Sequence, residues 1–263
     1  MRELPKLDLQ RTQQCIETFI RDYVKGAGKD GVVLGVSGGL DSACVATLAA
    51  NALGPEKVLG VQMPERIEPK HDQDDCDRRD AQDLIEQLGI QREQVLLEDH
   101  VRPFYKLNVK DDRNTMGNVK ARMRMNVLYA FANDRNRLVA GTGDKSEELT
   151  GYFTKYGDGG VDMLPIGNLY KTHVRDLSKE IGVPEAIVKK KSSPNLWKGQ
   201  TAEGELGMKY ETLDKILYNL VDLRIPPENI DYDRKAIDHV AEMVRDSAHK
   251  RAMPPVAEVT YHA

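Results

Sequence analysis

The sequence is poor in the features that would place it in several large classes. Only three cysteines occur in 263 residues, Cys15, Cys44 and Cys76, and no two form a CxxC pair. That spacing excludes a disulfide framework and a cysteine-rich zinc site, and fits a reduced, cytoplasmic protein. No apolar run approaches the ~20 residues that span a bilayer, so no membrane partner is expected. The first ten residues, MRELPKLDLQ, lack the apolar centre of a secretory signal. Basic residues are not in excess: 38 Lys and Arg face 42 Asp and Glu, for a formal charge of −4. The chain therefore has no broad electrostatic footprint for nucleic acid. Internal repeats, low-complexity tracts and linkers are missing too, so residues 1–263 read as a single domain.

Two common phosphate-binding signatures are also absent. GxxxxGK[ST] occurs nowhere; AGTGDKSEE at 140–148 puts Asp144 between glycine and lysine and reads as a strand-end loop with a helix cap. GxGxxG does not follow the first strand.

What is present is an alternation of periods. Ile16, Phe19, Ile20, Tyr23 and Val24 mark one apolar helical face over residues 9–24. Residues 32–36 form a short apolar run, β-branched at three of five positions, that predicts a buried strand. A helix over 40–53 follows, then a strand in KVLGVQMP, a helix in HDQDDCDRRDAQDLIEQLG, and a strand in EQVLLED. The acids that open that second helix suit the positive end of its dipole. A long helix over 114–135 carries Met116, Val119, Met123, Val127 and Ala130 near one face, and RLVAGTG predicts a fourth strand. Beyond residue 150 the chain reads as helical, with glycine-rich loops at 157–160 and 199–207. The expectation is an α/β fold with a doubly wound, mostly parallel sheet flanked by helices, and a helical C-terminal part. Ligands of such folds bind beyond the carboxyl ends of the strands.

That position is occupied by Ser37-Gly38-Gly39-Leu40-Asp41-Ser42, between the first strand and its helix. The first turn of a helix has N–H groups without intrahelical partners, and its dipole favours an anion. Glycines let phosphate approach the backbone, and two serines can add hydroxyl donors. Asp41 would repel phosphate, and makes sense if it holds a cation such as Mg²⁺. The competing reading is a plain strand-helix turn with a cap. Asp and Ser at this spacing weigh against it.

SGGxDS is the signature of the ATP pyrophosphatase (PP-loop) superfamily, whose members grip the β- and γ-phosphates of ATP and transfer AMP to an acceptor. Four further stretches narrow the choice: GNVKARMRMNVLY (117–129), GTGDKSEELTGYFTKYGDGGVDMLPIGNLYKTHVRDL (141–177), LWKGQTAEGELG (196–207) and AHKRAMPP (248–255). Together they resemble the NAD⁺ synthetases of the ammonia-dependent type, essentially over the whole chain, and GYFTKYGDGG is the most specific piece. The resemblance implies an adenine nucleotide alpha hydrolase-like fold. It implies a ligase that adenylates the carboxylate of deamido-NAD⁺ with ATP and Mg²⁺, after which ammonia displaces AMP. It also implies a homodimer whose active sites use both subunits.

The residue roles that the resemblance implies are as follows. Gly35, Val36, Ser37, Gly38, Gly39, Leu40, Asp41 and Ser42 hold ATP phosphates, with Asp41 on Mg²⁺. Glu147 is the second Mg²⁺ ligand, although a glutamate in a helix's first turn is otherwise an ordinary solvated residue. Thr142, Lys171 and Ser193 contact ATP, with Asp41, Glu147 and Lys171 forming the catalytic set. Arg122, Lys155, Asp162, His249 and Lys250 contact deamido-NAD⁺. Arg122 lies mid-helix, where an exposed arginine is unremarkable; His249 and Lys250 likewise suit a plain helix end. One departure stands out: the family's GQTDE is here GQTAE, so Ala202 removes a carboxylate from a loop expected to order over ATP. The chain leaves no room for a glutaminase domain, so a separate glutaminase is the expected source of ammonia if glutamine is used. The cysteines read as packing or surface residues. Two other readings compete: a different PP-loop ligase, of the GMP synthetase-like or tRNA-thiolating kind, and an ATP-sensing module without chemistry.

Overall fold

Val32, Val33 and Leu34 are wholly buried because both faces of their strand are covered. The structure, a computed structural model, describes residues 1–66, 72–107, 113–193 and 199–259. Residue 71 of the expected second helix of the sheet region, and residues 196–198 of the LWKGQTAEGELG stretch, lie outside the described residues. Four strands form one parallel sheet: β1 (Val32–Gly35), β2 (Val58–Gln62), β3 (Gln91–Gln94) and β4 (Leu138–Val139). The helices are α1 (Leu9–Gly26), α2 (Leu40–Leu53), α3 (Asp72–Leu88), α4 (Leu97–Val101), α5 (Arg113–Asp134) and α6 (Lys145–Thr150). They continue with α7 (Lys171–Glu180), α8 (Glu185–Val188), α9 (Ala202–Leu206), α10 (Tyr210–Leu217) and α11 (Arg234–Asp246).

The strand order is β3-β2-β1-β4. The chain winds from β1 outward to β3, then returns to the other side of β1 as β4. Alternating side chains separate the two faces. Val32 and Leu34 join α1, α2, α3 and α7 in one core, while Val33, Leu59, Val61 and Val139 pack with α5 in another. This is the doubly wound arrangement, and its reversal point lies between β1 and β4. A crevice opens there beyond the carboxyl ends of the strands.

The helix after β1 is buried nearly all round: Ala43, Cys44, Val45, Ala46, Leu48 and Ala49 are each fully inaccessible. A helix apolar on every side must sit inside the molecule. α2 does so, packed against α1, α7 and β2. Truncating Leu48 to Ala would cost ~2–5 kcal/mol, and the rigidity it supports is passed to the loop at the head of α2.

Two expected elements differ. The third strand is shifted: β3 occupies Gln91–Gln94 and shares only Glu93 and Gln94 with EQVLLED, and Leu97–Val101 is helical. As an edge strand, β3 needs few apolar residues. Leu97 and Val101, four apart, are buried instead against Met116 of α5. The 199–207 stretch is not wholly loop either. Thr201 Oγ1 accepts from the Gly204 N–H and caps α9, which ends at Gly207 with φ +74°. The helical C-terminal part has its own core, in which Tyr210, Leu213 and Leu217 meet Val240. Among the described residues no helix is long and apolar enough to cross a membrane.

Candidate functional site

The loop after β1 has a shape that its glycines require. Gly38 has φ +80°, and a Cβ there would stand 2.1 Å from the Asp77 carbonyl oxygen. Gly39 is the N-cap of α2 and supplies no side-chain cap bond, so the first-turn N–H groups stay available to an anion. The serines shape the loop. Ser42 Oγ accepts from the Ser37 N–H at 3.2 Å and donates to the Gly39 carbonyl at 3.0 Å, and Ser37 Oγ accepts from the Gly39 N–H at 3.2 Å. The two hydroxyls lie 3.1 Å apart. They were expected as donors to phosphate; here they first hold the backbone donors in place.

Across the crevice, Asp144 and Glu147 form a capping box at the start of α6, each side chain bonding the other's backbone N–H. Lys171 opens α7 and is fully buried. Its ammonium lies 2.7 Å from Asp41, 2.6 Å from Asp144 and 2.9 Å from Glu147. The start of α7 is fixed by a buried network. The Lys171 N–H donates to Ser146 Oγ at 3.0 Å, Ser146 Oγ donates to Asp214 at 2.6 Å, and the Thr172 N–H donates to Asp214 at 2.9 Å. Asp214, wholly buried on α10, thereby aims Lys171 at the site.

Oxygens of Asp41, Asp144 and Glu147 all lie within 4.8 Å of one another. Burial raises Glu147 well above the usual carboxylate range; Lys171 opposes the shift, and Asp144 and Asp41 add to it. Burial likewise pushes Asp144 up to about 6 against the pull of Lys171. Burial works against the Lys171 ammonium, yet the three carboxylates outweigh it and its pKa rises. Asp41 Oδ1 is buried with no hydrogen-bond partner. Three carboxylates against one ammonium leave the cluster attracting further positive charge, and the orphaned oxygen is a ready ligand. An all-oxygen donor set of this kind fits a hard divalent cation such as Mg²⁺.

A cavity of about 1000 Å³ joins these parts. Of the residues foreseen from sequence, Gly35, Val36, Ser37, Gly39, Asp41, Ser42, Thr142, Glu147, Ser193 and Lys250 line it. Lys171 stands behind the carboxylates. Arg122, Lys155 and His249 gather outside the cavity wall. The Arg122 Nε–H donates to the Lys155 carbonyl at 3.3 Å, and the Lys155 ammonium donates to the His249 carbonyl at 2.6 Å. Lys250 donates to the carbonyls of Gly151 and Phe153 at 2.7 and 2.8 Å. Asp162 is set apart from the cavity. Its oxygens accept from the Tyr129 hydroxyl at 3.0 Å and the Val139 N–H at 2.7 Å, tying α5 to β4.

Sequence reasoning took Asp144 as a cap only; its position three residues before Glu147 in one helical turn was the signal that both face the same way. It passed over Arg78, Arg79, Arg92 and Arg124, which bring positive charge to the cavity wall from α3, β3 and α5 with no motif to announce them. It also missed the pairing of Tyr152 with Glu205, which draws α9 to the rim; Gln200 Nε2 donates to the same carboxylate at 3.0 Å.

A doubly wound sheet, an open helix N-terminus at its reversal point and an acidic cluster facing it define an ATP pyrophosphatase-type nucleotide site. The family model for NAD synthase matches residues 12–254. A protein named NH(3)-dependent NAD(+) synthetase from Pyrobaculum aerophilum is 45% identical over 97% of this chain and 94% of its own length. The solved NMN synthetase from Francisella tularensis superposes with a TM-score of 0.84 at 31% identity, covering 97% of this chain and all of that one. The NH3-dependent NAD synthetase from Campylobacter jejuni does so with a TM-score of 0.82 at 32% identity, over 96% and 100%. The chain belongs to the NAD synthase family.

Proposed function

We propose that the protein joins ammonia to the free carboxylate of deamido-NAD⁺, consuming ATP and releasing AMP and pyrophosphate. The observation that carries this reading is the meeting of the open α2 N-terminus with the Asp41–Asp144–Glu147 cluster beside one cavity of about 1000 Å³. The open helix N-terminus favours the triphosphate, while Lys171, committed to Asp41, Asp144 and Glu147, holds in place the carboxylates that face it. Gripping the β- and γ-phosphates leaves the α-phosphorus exposed to the acceptor carboxylate. The carboxylate oxygen forms a bond to phosphorus as pyrophosphate leaves. Ammonia then attacks the acyl carbon and AMP departs. Mg²⁺, held by Asp41 and Glu147 with Asp144 beside them, would neutralise phosphate charge. Thr142 and Ser193 flank ATP.

The acceptor occupies the end where Lys250 lines the cavity and Arg122, Lys155 and His249 extend its wall. Asp162 serves that end by holding β4 to α5. The exposure of the Arg122 cluster suits a homodimer in which a second subunit completes the acceptor site. The chain is read as a cytoplasmic enzyme that takes free ammonia, with any glutaminase a separate protein.

The likeness to a protein called an NMN synthetase favours a second reading, in which the acceptor is the corresponding mononucleotide acid. One incubation separates the readings: protein, ATP, Mg²⁺ and ammonium with either deamido-NAD⁺ or nicotinate mononucleotide, followed by mass spectrometry. NAD⁺ with equimolar AMP and pyrophosphate is expected. Amidation of the mononucleotide alone would replace the proposal with the second reading. ATP binding without any product would reduce the chain to a nucleotide-sensing module.

A further inference from the structure

We infer that Lys190 is a positioning residue for the phosphate loop. It stands just past α8, far in sequence from the loop, and its head reaches back 152 positions to Gly38. Its ammonium donates to the Gly38 carbonyl at 2.9 Å and to Asp77 at 2.8 Å, and pairs with Asp80. Only 16% of the side chain is exposed.

The Gly38 carbonyl and the Gly39 N–H belong to one planar trans peptide, so they point in opposite directions. Holding the carbonyl fixes where the N–H points. That N–H donates to Ser37 Oγ, whose neighbour Ser42 orders the rest of the loop. Behind Gly38 the Asp77 carbonyl leaves no space for a side chain. The Gly38–Gly39 peptide is thus gripped by Lys190 and backed by α3, and the open end of α2 is presented in one orientation.

Charge gives a second reason. Asp77 lines the cavity and Asp80 lies one turn on, close enough for both to meet the same ammonium. Lys190 neutralises carboxylates that would repel a triphosphate. Because its protons are committed to these three oxygens, it acts on ATP through the loop and α3 and not as a direct ligand.

The inference rests on the reading of residues 37–42 as the ATP phosphate site, and the experiment separates the two. A non-hydrolysable analogue, α,β-methylene-ATP with Mg²⁺, is titrated calorimetrically into wild type, Lys190→Met and Lys190→Arg, with deamido-NAD⁺ titrated in parallel. A lost charge-assisted hydrogen bond predicts analogue binding weaker by about 10- to 100-fold in Lys190→Met. Acceptor binding should stay within about twofold, and Lys190→Arg should recover most of the loss. In turnover, KM for ATP should rise by more than kcat falls. Should Lys190→Met fail to fold, Lys190→Gln keeps a donor of shorter reach and should show the same split at smaller size. Wild-type analogue binding with an unchanged variant would overturn the inference alone. Equal loss of both ligands together with a lowered Tm would overturn it in favour of a purely structural ion pair. Failure of wild type itself to bind the analogue would overturn the phosphate-loop reading, and the inference with it.

Discussion

The ammonium of Lys171 lies 2.7 Å from Asp41 Oδ2, although the two residues stand 130 positions apart. The contact joins the head of α7 to the first turn of α2 across the reversal point of the sheet. The same ammonium serves Asp144 and Glu147, so one buried cation is shared by three carboxylates.

That imbalance sets the first prediction. Asp41→Asn and Glu147→Gln each take one carboxyl group out of an over-supplied acidic cluster, so neither should lower the Tm of the metal-free protein. Both should lower turnover by about 10²–10³-fold, the usual loss when one electrostatic stabiliser is removed. Steady-state rates at limiting Mg²⁺, with thermal melts of the same samples, check both halves. Near-normal turnover in either variant would remove that residue from the metal site.

Lys171→Met should behave in the opposite way. It strands three carboxylates around an apolar side chain at a site with no exposure. Breaking a buried ion pair from one side costs ~3–5 kcal/mol. Denaturant unfolding should show a loss of that order, partly restored by Mg²⁺, which supplies replacement charge. A variant as stable as wild type, with no response to Mg²⁺, would mean the carboxylates are neutral whatever Lys171 does.

The order of elements was legible because period and punctuation agree: β-branched runs alternate with helical spacing, and Gly or Pro stops them. β3 was displaced because Val95, Leu96 and Leu97 look like a strand, whereas the ladder partner of Leu59 is the polar Gln91. The phosphate loop was legible because its residues are contiguous. Glu147 and Lys171 were reached through the family resemblance, since a lone Glu or Lys at a helix start carries no signal. Lys190 and Asp214 stayed hidden for the same reason: each acts through a partner far away in sequence, and only the fold brings them together.

The acceptor end separates contact from support. Arg122→Ala and Lys155→Ala should weaken deamido-NAD⁺ more than ATP, with little change in Tm, because both are surface side chains tied by single bonds to backbone. Asp162→Ala should instead lower stability by ~1–3 kcal/mol, the cost of leaving a buried donor unmet, since it strands the Val139 N–H. Parallel titrations and melts distinguish the two patterns. Equal loss of both substrates in Arg122→Ala would place that residue outside the acceptor site.

Cysteine reactivity offers a test independent of catalysis. Cys44 is buried on α2 and burial pushes its thiol up to about 12, while Cys15 and Cys76 are exposed. The thiolate is the reactive form. A thiol reagent at mildly alkaline pH should modify Cys15 and Cys76 in the folded protein and reach Cys44 only after denaturation. Intact-mass measurement reads the number, and activity should survive the modification. Loss of activity in step with a single alkylation would point to a cysteine role the geometry does not suggest.

The nitrogen donor gives the last prediction. Ammonium has no lone pair, so the species that attacks the acyl adenylate must be neutral NH₃. At neutral pH most ammonia is protonated. At a fixed, subsaturating concentration of ammonium salt, the rate should therefore climb as pH rises above neutrality, until groups of the protein titrate or the fold gives way. None of the three cysteines lines the cavity, so the chain shows no thiol nucleophile there to release ammonia from glutamine. Glutamine freed of contaminating ammonia should yield almost no NAD⁺ with the isolated protein. Robust synthesis from glutamine by the pure chain would overturn the ammonia-dependent reading. Synthesis that appears only when a glutaminase is added, and follows the free ammonia it releases, would support it and identify the coupling as a supply of substrate from a separate protein.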